Sequence, residues 1–581
     1  MATGKGVFAG VRLILVGLAL VGLTVVGLTL VRAAAAAPAT AADGGVNGPL
    51  RPGAALSGKV TSAEEGAMEG VLVTAKAPSS TIAVTVVTGA DGRYSFPASR
   101  LGPGHYAVRI RAVGYDLDSG GTAEVAAGQE AHHDLSLRKT RNLASQLTNA
   151  EWLQSMPGTP RQKDMVLNCV SCHTAERIVR STHDPNEFMQ VQARMGTYAN
   201  QSVPTRPQLR RAERVLEERG DNRTRAQAER AEFLASINLS ETDSWSYELR
   251  TMPRPTGAAT RVIVTEYDLP RNSIEPHDVI IARDGMAYYT NFGEQNLGRL
   301  DPRTGKITEI DLPELKHGWP KGSLGIRPDA DGNLWFGMMY QGAIGKLDLA
   351  TLKVETFSLP PEMNKDQTQI NMVRPESAGV DGKVWSQNNG FAALHRLDLR
   401  TGAVETIAPF AATAKAGENH NIYDIIPDAQ NNVYFTDFAQ QHLGRVDART
   451  GALTLFELPT KASAPRRGMM DGKGRIWFGL YRGNRIDMFD TRTEAFKEWQ
   501  MPTAWSAPYD VTVDRNGEVW TGSMLNDRVS RLDPESGRFV EYLLPRETNI
   551  RRVFVDSSTT PVTFWAGNNH QGSIVKVEPL E

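Results

Sequence analysis

From residue 262 to the end of the chain, apolar and polar positions alternate in short runs, and the whole pattern returns at a regular interval. An aromatic strand recurs around Tyr289, Trp335, Trp385, Tyr434, Trp477, Trp520 and Trp565, at spacings of 43 to 50 residues. A second strand of the type GRLDPRTGKITEIDLP follows each of the first six. The seventh copy stops at SIVKVEPLE, while an orphan outer strand, VIVTEYDLP, stands at 262–270 ahead of the first repeat. This arrangement predicts a seven-bladed β-propeller over 262–581, closed by pairing the orphan strand into the last blade so that only short edges remain.

Two earlier stretches carry different periods. Residues 54–138 alternate with turn signals between strands, as in VTVVTGADGRYSF, and predict a small antiparallel β-sandwich. In 139–242 the alternation gives way to helix-forming runs: SQLTNAEWLQSM, PNEFMQVQARMGTYA and the Arg- and Glu-rich RRAERVLEERGDNRTRAQAERAEFLASI. The expected fold class is therefore multidomain: small β-sandwich, small α-helical domain, seven-bladed propeller.

Before all of these, Lys5 and Arg12 precede the apolar run LILVGLALVGLTVVGLTLV (13–31), followed by small-residue stretches. Residues 1–45 read as an export signal, cleaved at an A-x-A-type site, with an uncleaved N-terminal anchor as the alternative. The expected location is periplasmic. Across all 581 residues, 64 Lys and Arg stand against 66 Asp and Glu, a net charge of -2. Nothing global points to nucleic acid, and contact with a membrane is expected only through the N-terminal anchor. The Arg-rich run at 206–230 reads as a solvated helix face or, alternatively, a docking surface for a redox partner.

The chain has two cysteines, both in LNCVSCHTAERI: Cys169 and Cys172, with His173 directly behind. A structural zinc site needs four ligands, and no second cysteine pair exists. A redox Cys-x-x-Cys site sits in a βαβ context that is absent. Cys-x-x-Cys-His at this spacing matches covalent haem c attachment: two thiols for the two vinyl groups and the adjacent imidazole for the iron. A sixth ligand is then needed. Met195 is expected to supply it, because Gly196 should end the helix there and let a loop cover the haem face; Met189 and His183 are the alternatives. The segment resembles small cytochrome c domains, with the motif near the start, a ligand methionine in the middle and a closing helix such as AEFLASINL (231–239).

A candidate channel ring follows from the repeats. Eight residues before each turn Gly or Asn stand His277, Leu324, Arg374, Tyr423, Arg466 and Tyr509, and the seventh blade offers Arg551 in NIRRVFVD. This set predicts a polar funnel for an anionic or hydrogen-bonding ligand.

Further resemblances rest on particular residues. The G-x-V opening at Gly58 and Val60, GVLV from Gly70, DGRYSF from Asp91, PGHY from Pro103 and Gly114-Tyr115 resemble the carboxypeptidase regulatory-like domain, which implies a non-catalytic accessory. DGNLWFG, IGKLD and TEYDLP resemble the virginiamycin B (streptogramin) lyase family over 262–581. That resemblance implies that Glu275-Pro276-His277 matches the family's E-P-H motif, with Glu275 as a Mg2+ ligand and His277 as catalytic residue for lactone opening. Departures from the pattern are Arg551 and Leu324, where the family carries His and Tyr. The functional expectation is an exported c-type haem protein passing electrons to or from a partner protein or small organic substrate at the propeller. The alternative is a lyase or hydrolase at the propeller centre, with a regulatory haem.

Overall fold

The computed structural model describes residues 53–199, 206–209, 221–238, 246–292, 294–412, 415 and 418–580. All of them belong to one compact unit, which spans Gly44–Glu581. The signal or anchor expected at 1–45 lies outside the described residues, as does most of the Arg-rich run. Among the described residues no helix is long and apolar enough to cross a membrane.

Six four-stranded antiparallel sheets follow one another through 276–543, their innermost strands beginning at Pro276, Ser323, Ile370, Ile422, Pro465 and Pro508. Three strands at 550–579 make a seventh, and Val262–Asp268 completes it by pairing with Ser573–Pro579, Val262 opposite Pro579 and Asp268 opposite Ser573. The ring therefore closes with the orphan strand.

The repeat has a visible physical cause. In three blades the Nε1–H of the strand tryptophan donates to an aspartate six residues earlier, Trp335 to Asp329 (2.9 Å), Trp477 to Asp471 (2.9 Å) and Trp520 to Asp514 (3.0 Å). The turn between them needs a left-handed residue, met by Gly332 (φ 92°), Gly474 (74°) and Gly517 (85°). One strand later the glycine of the GRLD-type motif faces an aromatic ring: Gly298 opposite Tyr289, Gly345 opposite Phe336 and Gly444 opposite Phe435. A Cβ on Gly345 would lie 2.3 Å from the Phe336 ring.

The sandwich over 54–139 is joined to the propeller more closely than an accessory domain on a linker would be. Its strand Ile82–Val87 pairs antiparallel with Val262–Asp268, Ile263 opposite Val86 and Tyr267 opposite Ile82. The closing strand is thus shared, and one eight-stranded sheet runs from the seventh blade through the sandwich. Arg100 fixes this junction with an ion pair to Glu578 (2.8 Å), both largely buried.

Between sandwich and propeller, the described residues of 143–237 are mainly helical. Capping boxes start three helices: Thr148 with Glu151 for Asn149–Ser155, Thr159 with Gln162 for Pro160–Asp164, and Asp184 with Glu187 for Pro185–Met195. A longer helix spans Asp221–Ile237. Trp152, Leu153, Val166, Val170, Phe188, Phe233 and Ile237 form their core, which continues without a break into Tyr481, Tyr509, Met524 and Leu525 of the propeller. The described residues of the helical segment share their core with the propeller and sit on the mouth of its channel.

Candidate functional site

Cys169–Ser171 forms a single 3-10 turn, so the two thiols and His173 follow one another around one bend of chain. That bend is docked on the propeller by two hydrogen bonds. Arg551 Nη2 donates to the Ser171 carbonyl (2.7 Å), and Asn549 Nδ2 to the Val170 carbonyl (3.4 Å). A cavity of about 500 Å³ lies between the two parts. Cys169, Cys172, His173 and Met195 line it from the helical side; Leu324, Asn371, Tyr423, Arg466, Tyr481 and Arg551 line it from the propeller.

Cys169 and Cys172 stand as separate thiols, not as a disulfide. Burial pushes the Cys169 thiol up, which keeps it protonated and speaks against a reactive redox thiolate. His173 Nδ1 lies 2.9 Å from the Thr174 carbonyl, so the proton belongs on Nδ1 and Nε2 keeps its lone pair. Desolvation lowers its pKa and favours the neutral ring. Met195 is the last residue of its helix, capped by Gly196, and is 38% exposed. Met189 and His183 do not line the cavity: Met189 packs against the helical core, and the His183 ring packs edge-on against Phe188 with centroids 5.4 Å apart.

The innermost strands of all seven blades carry a register shift at the same place, for instance between Pro276 and Val279, Ser323 and Ile326, and Pro465 and Gly468. Such a bulge turns two successive side chains out of the ladder. The first of the two defines the ring: His277, Leu324, Asn371, Tyr423, Arg466, Tyr509 and Arg551. The third blade therefore contributes Asn371, and the assignment of Arg374 to the ring is corrected. A helical turn at Pro375–Asp381 inserts three residues between strand and turn glycine, which displaces a count made from Gly382. Arg374 is instead buried and paired with Asp424 (2.8 Å).

The second bulge residue forms a buried ionic layer that the repeat reading passed over. Arg467 holds Asp278 with two bonds of 2.7 and 2.9 Å, and Arg552 holds Asp510 at 2.9 Å. The three carboxylates of the layer each accept a backbone N–H of the following blade: Asp278 from Ile326, Asp424 from Gly468 and Asp510 from Val553. The signal was present in the triplets His277-Asp278-Val279, Tyr423-Asp424-Ile425 and Tyr509-Asp510-Val511.

His277 and Glu275 lie behind the cavity wall. His277 is fully buried, with Nδ1 2.8 Å from Asp278 and Nε2 3.2 Å from the Tyr509 hydroxyl, which in turn meets the Tyr423 hydroxyl. Burial depresses its pKa to about 3, against the pull of Asp278. Glu275 is 1% exposed, its Oε2 has no hydrogen-bond partner, and burial raises its pKa well above the carboxylate range despite Arg551 nearby. The charged neighbour of Glu275 is the Arg551 guanidinium, a cation that repels Mg2+ where a second oxygen ligand would be needed. Among the described residues no three acidic, histidine or cysteine side chains converge as a metal site.

No curated protein sequence matches the chain. Among solved structures, the virginiamycin B lyase of Staphylococcus aureus is 20% identical, covering 54% of this chain and 99% of its own, with a TM-score of 0.46. A streptogramin B lyase is 22% identical over 56% of this chain and 99% of its own, TM-score 0.47. The extracellular domain of a hybrid two component system from B. thetaiotaomicron is 14% identical over 54% of this chain and 40% of its own, TM-score 0.41. Two family profiles match the chain itself: the carboxypeptidase regulatory-like domain at residues 55–138, and the virginiamycin B lyase family at 414–579, which takes in the last four blades; the helical segment bearing Cys169 and Cys172 lies outside both.

Proposed function

We propose that the chain is an exported, periplasmic c-type haem protein, in which the helical segment carries electrons and the propeller closes over the same site to hold a redox partner or small organic substrate. The observation that carries this reading is the convergence of Cys169, Cys172, His173 and Met195 on one cavity roofed by the propeller. The donor set suits the group: two thiols for thioether bonds, an imidazole whose Nε2 is left for iron, and a thioether sulfur on the same cavity. A haem bound there supplies one-electron transfer. Cys169 and Cys172 would tether it, His173 and Met195 would hold the iron, and the Thr174 carbonyl fixes the ring of His173. Tyr423, Phe438 and Tyr481 give the propeller side of the cavity an aromatic wall. Ester or lactone cleavage draws no comparable support, since His277 and Glu275 do not reach the cavity.

The test is expression of the full chain in cells that mature c-type cytochromes. A haem-staining band surviving denaturing electrophoresis and a c-type reduced α-band are expected. Cys169→Ala with Cys172→Ala should abolish the stain, and Met195→Ala should keep the stain while losing the charge-transfer band of methionine ligation. Absence of covalent haem in the wild-type chain, in cells that load a control cytochrome, sinks the proposal.

A further inference from the structure

Three arginines line the cavity, Arg230, Arg466 and Arg551, and among the described residues its lining contains no aspartate or glutamate. None of the three has a carboxylate at ion-pair distance among the described residues, whereas Arg467, Arg552 and Arg374 just outside are all paired. What holds the cavity arginines is neutral. Arg230 donates to Gln192 Oε1 (3.1 Å). Arg551, 1% exposed, donates to Asn549 Oδ1 (2.6 Å) and to the Ser171 carbonyl. Arg466 is stacked among aromatic rings, its guanidinium carbon 4.1 Å from the Tyr481 centroid, 4.4 Å from Tyr509, 4.6 Å from Phe438 and 5.2 Å from Tyr423. Its Nη1 meets only the Met524 sulfur (3.7 Å), and its Nε is buried without a hydrogen-bond partner. Burial pushes the pKa of the nearby acid, Glu275, up, which weakens its compensation of Arg551. Buried guanidinium groups are ordinarily paired, and their fork geometry matches a carboxylate.

We infer that Arg466 and Arg551 together bind a carboxylate group of the molecule held in this cavity. Two sources supply that chemistry beside Cys169 and Cys172: the side-chain carboxylates of a haem, or the carboxylate of an organic substrate. The first source rests on the haem reading; the second stands without it. In either case the propeller, not the helical segment, supplies most of the counter-charge.

The experiment compares the full chain with Arg466→Gln, Arg466→Lys and Arg551→Gln. Haem stain and circular dichroism are read first, so that loss of haem or of fold is seen separately. Arg466 bonds no backbone group, which makes it the cleaner position; Arg551 also anchors Ser171. For haem carboxylates, Arg466→Gln retains covalent haem, lowers the reduction potential and shifts the carboxylate bending bands in resonance Raman spectra, with Arg466→Lys restoring the potential but not the bands. For a substrate carboxylate, benzoate binds the wild-type chain saturably in calorimetry, with or without haem, and about tenfold or more weakly to Arg466→Gln. Unchanged potential and bands in Arg466→Gln, together with no benzoate binding that depends on Arg466 or Arg551, would overturn the inference.

Discussion

At the level of single residues, the centre of the propeller is governed by the pairing of buried charge. Asp278 is fully buried, and Arg467 with two hydrogen bonds, aided by Arg552, holds its carboxyl well below the usual carboxylate range. Removing Arg467 strands that charge, and loss of one partner of a buried pair costs roughly 3–5 kcal/mol. Arg467→Met should therefore lower the urea midpoint sharply, and Asp278→Asn combined with it should recover part of the loss. His277 makes a different prediction. Its folded pKa of about 3 lies below the ordinary histidine value of 6.5, so between those values the unfolded chain takes up a proton that the native chain refuses. Stability from this group is complete above about pH 6.5 and declines as the pH falls toward 3. Urea titrations from pH 7 to 4 should show a shallower decline for His277→Gln than for wild type; equal slopes would contradict the assignment. These residues were present in the repeated triplets around Asp278, Asp424 and Asp510, but a charge's partner depends on the fold, and Arg467 stands 189 positions away.

At the level of the element, the blade is legible because its constraints are local. The Asp-to-Trp hydrogen bond spans six residues, and the aromatic-over-glycine pair spans one hairpin. Gly345→Ala should push a methyl group into the Phe336 ring and destabilise by about 1–3 kcal/mol, measured as a lower thermal midpoint. Gly379→Ala, where no atom lies within 4 Å, is the matched control and should change little. The channel ring was less legible. Counting from the turn Gly or Asn placed five of six positions but chose Arg374 for the third blade, because the extra turn at Pro375–Asp381 sits between the two landmarks; Arg551 came from the stretch NIRRVFVD. The bulge that defines the ring breaks no sequence periodicity long enough to be seen, since it occupies two residues in each innermost strand.

At the level of the whole molecule, three segments with different sequence periods act as one body. The closing strand is shared: Val264 faces Val577 of the seventh blade on one side and Thr85 of the sandwich on the other, and is fully buried. Val264→Asp should disrupt sandwich and propeller together, giving one coincident loss of structure by far-ultraviolet circular dichroism and by tryptophan fluorescence. A fragment of residues 53–142 exposes the edge strand Ile82–Val87 and should self-associate in size-exclusion chromatography, as unprotected edges do. The sequence by itself determined the number of blades, the sandwich, the helices at Asn149–Ser155, Pro185–Met195 and Asp221–Ile237 and the Cys169-Cys172-His173 spacing, because each follows from periodicity or from chemistry between near neighbours. Only the tertiary structure decided that the sandwich extends the seventh blade, that His277 and Glu275 are sealed from the cavity, and that Cys169, Cys172 and Met195 face Arg466 and Arg551. Those pairings join residues as much as 478 positions apart, as Arg100 and Glu578 show, and no periodicity reaches that far.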